Sequence, residues 1–304
     1  MTPDPIYVLT DAVRVRELNG VLRACEDAGA MPLVFKGAAL AHTHYVASWQ
    51  RPRADADVLI AAARREQVFA ELRRLGYERR TFTSGYFVTY QAPFCRLDHL
   101  GIEHDVDIHW RVANPQVVSQ ALTHDELVER SVIVYAEGYP MRVPSPVDAL
   151  LLACVHRVAH HPGDEQRVWI EDIHRLASGL DSSEWKAFVA RAASRSIRAI
   201  CLQGLARARE AFHTTVPLDV LAALSEANGE PSAVFLGTRL RPIDRLAADL
   251  RALGPLAAAH LLREHLFPPA EYMRRKYGVR SRVWLPAFYA SRVLSGMRKW
   301  FRPA

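Results

Sequence analysis

Ala54-Asp55-Ala56-Asp57-Val58-Leu59-Ile60 is followed about fifty residues later by Ile102-Glu103-His104-Asp105-Val106-Asp107-Ile108-His109-Trp110. Both stretches alternate with period two, the signature of a half-buried strand whose successive side chains take opposite faces. Asp55 and Asp57 therefore share one face, and Ala54, Ala56 and Val58 the other. In the later stretch Asp105, Asp107 and His109 share a face opposite Val106, Ile108 and Trp110. Adjacent carboxylates repel each other and cost stability unless a cation sits between them. Should the two strands lie side by side, Asp107 joins Asp55 and Asp57. Three carboxylates can hold two divalent metals, the arrangement used for in-line displacement at phosphorus. Mg²⁺ takes one or two carboxylates plus substrate phosphates, so it is the first candidate, with Mn²⁺ beside it.

Upstream, the apolar run Met31–Phe35 stops at Lys36-Gly37-Ala38, which reads as a strand-to-helix turn. Such a turn offers free backbone N–H groups and a positive dipole to a phosphate, and Lys36 adds a point charge. Arg51 and Arg53 lie in the loop just before Asp55, placed for phosphate contact. Amphipathic spacing predicts helices over 6–29, 38–46 and 62–75, β-like segments at 77–81 and 86–91, and a hairpin of 131–135 with 140–143. From Pro146 the pattern turns helical over 146–160, 165–178, 183–195, 197–212 and 217–226, then on to about 265. The expectation is an α+β chain. A small mixed-sheet α/β domain would occupy residues 1–145 and an all-helical domain 146–304.

The 304 residues, half of them hydrophobic, can bury a core without staples. Cys25, Cys95, Cys154 and Cys201 form no CxxC pair, which excludes a zinc ribbon and argues against a disulfide framework. No run of 18 apolar residues exists and no secretory signal is read at the N-terminus, so the expected compartment is the cytoplasm. Net charge is +6. The basic excess lies mostly from Arg263 onward, where Arg274, Arg275, Lys276, Arg280, Arg282, Arg292, Arg298, Lys299 and Arg302 face only Glu264 and Glu271. That tail is most simply a solvated helix; its sharper reading is contact with RNA or a membrane surface, peripheral and not spanning.

The pieces, in this order, resemble the nucleotidyltransferase superfamily of polymerase β-like folds. The closer resemblance is to a bacterial family of nucleotidyltransferase-like proteins with a Lys-Gly turn, an Arg near an Asp-x-Asp strand, and an Asp-x-His-Trp motif. Here these are Lys36-Gly37, Arg51-Pro52-Arg53, Asp55-Ala56-Asp57 and Asp107-Ile108-His109-Trp110. The helical segments around His156 and Asp172, and Phe267-Pro268-Pro269, look similar too, so the likeness spans roughly residues 15–290. It implies transfer of a nucleoside monophosphate from an NTP to an acceptor hydroxyl on a small molecule, a sugar or an RNA end, with pyrophosphate released. Asp55, Asp57 and Asp107 would hold the metal and carry catalysis. Lys36, Gly37, Arg53, Arg51 and His109 would line the substrate side. Many superfamily members carry Gly-Ser at the turn; Ala38 here brings no hydroxyl. A second reading is a non-catalytic nucleotide- or partner-binding module with a degenerate site. A third, a metal hydrolase built on His156, His160, His161, His174 and Asp172, lacks the expected ligand spacing.

Overall fold

The computed structural model describes residues 5–80, 87–159, 166–237, 241–278 and 281–300. Helix α1 (Pro5–Asp27) buries Val15, Leu18, Val21, Leu22 and Cys25, which recur at the three-to-four-residue spacing of one helical face. Strand β1 (Leu33–Phe35) is fully buried and runs directly into α2 (Lys36–Thr43). Then come β2 (Asp55–Leu59), α3 (Arg65–Arg74), β3 (Glu78–Arg79), β4 (Gln91–Leu97) and β5 (Glu103–His109). Two short helices, α4 (Gln116–Ser119) and α5 (His124–Glu129), precede the hairpin β6 (Val132–Ala136) and β7 (Tyr139–Val143). Its loop holds Glu137 and Gly138 at φ 48° and 75°, the doubly left-handed turn that suits a two-residue hairpin.

The first five strands form one mixed sheet in the order β1-β2-β5-β4-β3. The central pair, β2 and β5, is parallel; its neighbours are antiparallel. One face of the sheet buries Val58, Ile60, Phe94, Val106 and Ile108 under α1 and α3. The opposite face changes character along its length. Leu33, Phe35 and Leu59 pack into a second core, while the acidic positions of β2 and β5 occupy the rest.

That second core continues into helices α6 (Pro146–Ala159), α7 (Arg167–Gly179), α8 (Ser182–Ser194), α9 (Arg198–Phe212) and α10 (Leu218–Ser225). Helices α11 (Pro242–Arg251), α12 (Pro255–Leu266), α13 (Ala270–Tyr277) and α14 (Leu285–Trp300) complete the chain. The architecture is thus α+β, a mixed sheet in the N-terminal part followed by helices. Among the described residues no helix is long and apolar enough to cross a membrane.

The elements expected from periodicity fall within a few residues of those observed, with one instructive exception. A β-like segment was expected at 86–91; Tyr86 lies outside the described residues, and the strand runs instead from Gln91 to Leu97. Pro93 in its middle spoils the sequence signal, because proline cannot donate to a ladder. His160 and His161 also lie outside the described residues.

Asp148 at the start of α6 is fully buried and accepts from Arg130 Nε at 2.9 Å and Arg191 Nη1 at 2.9 Å. It ties α8 and the residue after α5 to α6. Replacing it with alanine strands two guanidinium groups beside a cavity, so Asp148→Ala is expected to cost about 3–5 kcal/mol in urea unfolding. A loss below about 1 kcal/mol would contradict this account.

Candidate active site

Parallel pairing places Asp55 opposite Asp105 and Asp57 opposite Asp107, in register. Carboxylates fifty residues apart in sequence therefore become lateral neighbours on one sheet face. The ligand atoms of Asp57, Asp107 and His109 all lie within 4.8 Å of one another. Asp55 sits one strand step nearer the open end, outside that group of three, but close enough for its charge to be felt at Asp107.

Asp57 is held from two sides. Lys36 Nζ lies 2.6 Å from its Oδ1, and His109 Nε2 lies 2.8 Å from the same oxygen. Burial opposes its charge, yet the Lys36 ammonium and the His109 hydrogen bond outweigh burial and hold Asp57 well below the usual carboxylate range. An ionised Asp57 can only accept, so His109 Nε2 carries the proton. The imidazole itself stays neutral, pushed down to about 4 by burial and by the nearby Lys36 charge. Its ring also stands edge-on to Phe35, with centroids 5.0 Å apart.

Asp107 and Asp55 behave in the opposite way. Desolvation, then the charges of Asp57 and Asp55, push Asp107 up to about 7. Desolvation and the neighbouring Asp57 charge push Asp55 up to about 6. Sequence reading missed Gln91, whose Nε2 donates to Asp107 Oδ2 at 2.7 Å. The loop ahead of Gln91 is pinned by Glu264 of α12, which accepts from the backbone N–H groups of Phe87 and Val88 at 3.0 and 3.3 Å.

The turn at Lys36 has unusual geometry. Lys36 adopts φ 54°, a left-handed conformation that a side chain rarely takes, and no side chain caps the helix it opens. A Cβ on Gly37 would lie 3.2 Å from the Arg51 guanidinium carbon, so the space glycine vacates is filled by Arg51. Arg51 in turn grips Asp172 of α7 through Nε at 2.8 Å and Nη2 at 2.7 Å, with Tyr45 Oη donating to the same carboxylate at 2.9 Å. Arg53 pairs with Asp11 at 2.6 Å. Both arginines, expected at phosphate, are thus engaged inside the chain. Arg51 still brings its charge to the turn, neutralised by Asp172.

Asp105 points toward a second group with Cys95 and Glu103, whose ligand atoms also fall within 4.8 Å. Arg80 serves as the cation there, pairing with Glu103 and, at 3.3 Å, with Asp105. The helical histidines disperse. His174 bonds Thr214 and stacks on Phe212, His156 stands edge-on to Trp169, and Asp172 is taken by Arg51. Among the described residues they form no ligand cluster. Trp110 sits in the core beside Phe69.

A family model described as an uncharacterised nucleotidyltransferase matches residues 8–213. A search of curated proteins gives no match. Among solved structures the chain is similar to the antibiotic-resistance factor ANT(2'')-Ia in solution, at 19% identity over 61% of this chain and 93% of that one, with a TM-score of 0.41. It is similar to crystalline ANT(2'')-Ia in complex with adenylyl-2''-tobramycin, at 20% identity over 60% and 98% of the two chains and a TM-score of 0.39. A third likeness is to an antigenic nucleotidyltransferase-like protein from Paracoccidioides brasiliensis, at 13% identity over 70% and 93%, with a TM-score of 0.43.

The raised carboxylates carry a stability consequence. Asp107 in the fold keeps its proton up to about pH 7, whereas the unfolded chain releases it near 3.8. Between those values the folded state binds more protons, so this group's contribution to stability falls as pH rises. In EDTA, the melting temperature of Asp107→Asn is expected to gain on that of the unsubstituted chain as pH goes from 5 to 8. A gap that stays constant over this range would refute the assigned cause.

Proposed function

The chain belongs to the uncharacterised nucleotidyltransferase family, and on that premise we propose that it is a metal-dependent enzyme that transfers a nucleoside monophosphate from an NTP to an acceptor hydroxyl. The observation that carries the reading is the register of β2 against β5, which faces Asp55 and Asp57 with Asp105 and Asp107 beside the Lys36 ammonium. A structural sheet gains nothing from such crowding of like charges. A site for polyphosphate and a hard cation does.

The donors fit a divalent cation. Asp55, Asp57 and Asp107 offer oxygens, and Asp55 and Asp107 hold protons abnormally tightly because burial desolvates them and the charge of Asp57 lies beside them. They are the residues that would hold Mg²⁺ or Mn²⁺, and the bound ion would neutralise phosphate charge and lower the pKa of the acceptor hydroxyl.

The chain's own groups supply the rest. The uncapped first turn of α2 presents backbone N–H groups to a phosphate, standing in for the hydroxyl that Ala38 lacks. Lys36 stabilises the charge that builds on the leaving phosphates. The acceptor oxygen forms a bond to the α-phosphorus as the bond to the β-phosphate bridging oxygen breaks, and pyrophosphate departs. Asp107, which would give up its proton when the cation binds, is placed beside Asp57 to take the hydroxyl proton. Gln91 holds one oxygen of Asp107, which orients the other. His109 keeps Asp57 ionised and fixed.

The binding-module alternative draws on one observation, the occupation of Asp57 Oδ1 by Lys36. The two readings part on turnover. Incubated with α-³²P-labelled NTPs, Mg²⁺ and cell extract, the chain is expected to label an acceptor and release pyrophosphate. Asp57→Asn should lower that rate on the order of 10³-fold or more, and Lys36→Ala about 10²-fold. Nucleotide binding that persists in Asp57→Asn, with no pyrophosphate from either protein, would establish the module instead.

A further inference from the structure

A groove of about 540 Å³ opens between the N-terminal half of α1 and the loop 49–54. That size lies within the range of small-molecule sites. Ala54 lines it, and Asp55 is the next residue along the chain. The groove therefore adjoins the acidic face without using the acidic residues themselves.

Its lining combines rings with positive charge. Tyr7 and Trp49 supply aromatic surface, and Arg14, Arg51 and Arg53 line it with a single acidic residue, Asp11. Two of these arginines are spoken for, Arg51 by Asp172 and Arg53 by Asp11. Arg14 differs. Its Nη1 donates to the Arg53 carbonyl at 3.0 Å, while its Nε is buried with no hydrogen-bond partner among the described residues. The lining of the groove thus holds more positive than negative groups, with Glu17, Asp55 and Asp105 on the far side of Arg14 and Arg53. Tyr7 is 58% exposed and Ile6 72% exposed, a large apolar area on a helix whose other face is in the core. Rings beside a guanidinium that makes no direct ion pair among the described residues suit a ligand with a flat aromatic ring and an anionic group.

We propose that this groove binds a nucleotide unit of the acceptor, its base against Tyr7 and Trp49 and its phosphate on Arg14. The acceptor role rests on the transferase reading; the binding itself does not. A free mononucleotide and the last nucleotide of an RNA strand present the same chemistry. Base stacking on aromatic side chains tolerates any base, so the groove selects for ring and phosphate and not for sequence.

The test is isothermal titration of the full chain in EDTA, which removes turnover and metal-dependent NTP binding together. The probes are AMP and a six-nucleotide single-stranded RNA. Arg14→Gln and Tyr7→Ala are each expected to weaken binding about tenfold, while Asp57→Asn leaves it unchanged. Comparable affinities for the two probes identify the mononucleotide as the source; an RNA affinity at least tenfold higher identifies the strand end. Tyr7 is exposed, so its variant keeps the test decisive even where Arg14→Gln folds poorly. Equal affinity in the unsubstituted chain and Tyr7→Ala, or no binding of either probe at millimolar concentration, would overturn the proposal. Label transfer at undiminished rate in both variants would sink the groove and leave the transferase standing. Groove binding without any label transfer would do the reverse.

Discussion

One carboxylate oxygen, Asp57 Oδ1, receives both the Lys36 ammonium and the His109 imidazole. The polar face of the sheet is organised around that contact. Asp57 is only 7% exposed, and a carboxylate so placed would bind a proton unless compensated. Lys36 reaches it from a left-handed backbone conformation, a local cost of about 1–2 kcal/mol. Charge-assisted hydrogen bonds at a buried site are strong enough to offset such strain. Burial, and after it the charge of the ionised Asp57, makes Asp107 and Asp55 retain their protons. Three similar side chains thus acquire different protonation behaviour from position alone.

The support for this face comes from distant parts of the chain. Gln91 steadies Asp107, and the segment before Gln91 is fastened by Glu264, while Asp249 of α11 accepts from the Val117 N–H at 3.3 Å. Glu264 and Asp249 both lie beyond residue 213, where the family match ends. The C-terminal helices are therefore part of what holds the segments leading into β4 and out of β5.

Sequence alone made the acidic alternation of β2 and β5 legible, because period two is visible residue by residue. It also located the turn at Lys36 and the helices after Pro146. Several things depend on chain pairing and could not be read. The parallel register that sets Asp57 against Asp107 is one. The partner of Arg51 is another: Asp172 lies 121 residues away on a different helix, and no local pattern joins them. Gly37 looked like a residue kept small for a phosphate, whereas the space is filled by a guanidinium. Gln91 was hidden because Pro93 disguises its strand. His109 was visible on the acidic face, but its role in sharing a proton contact with Asp57 required the fold.

The grip of Arg51 on Asp172 has a mechanical side. It joins the loop before β2 to α7 through a buried pair, and the same guanidinium wedges against the Gly37 turn. Sliding α7 away from the sheet would expose two charges and unseat the loop that leads into Asp55. The joint behaves as a rivet, so any breathing of the molecule that admits reactants has to pivot elsewhere along its seam.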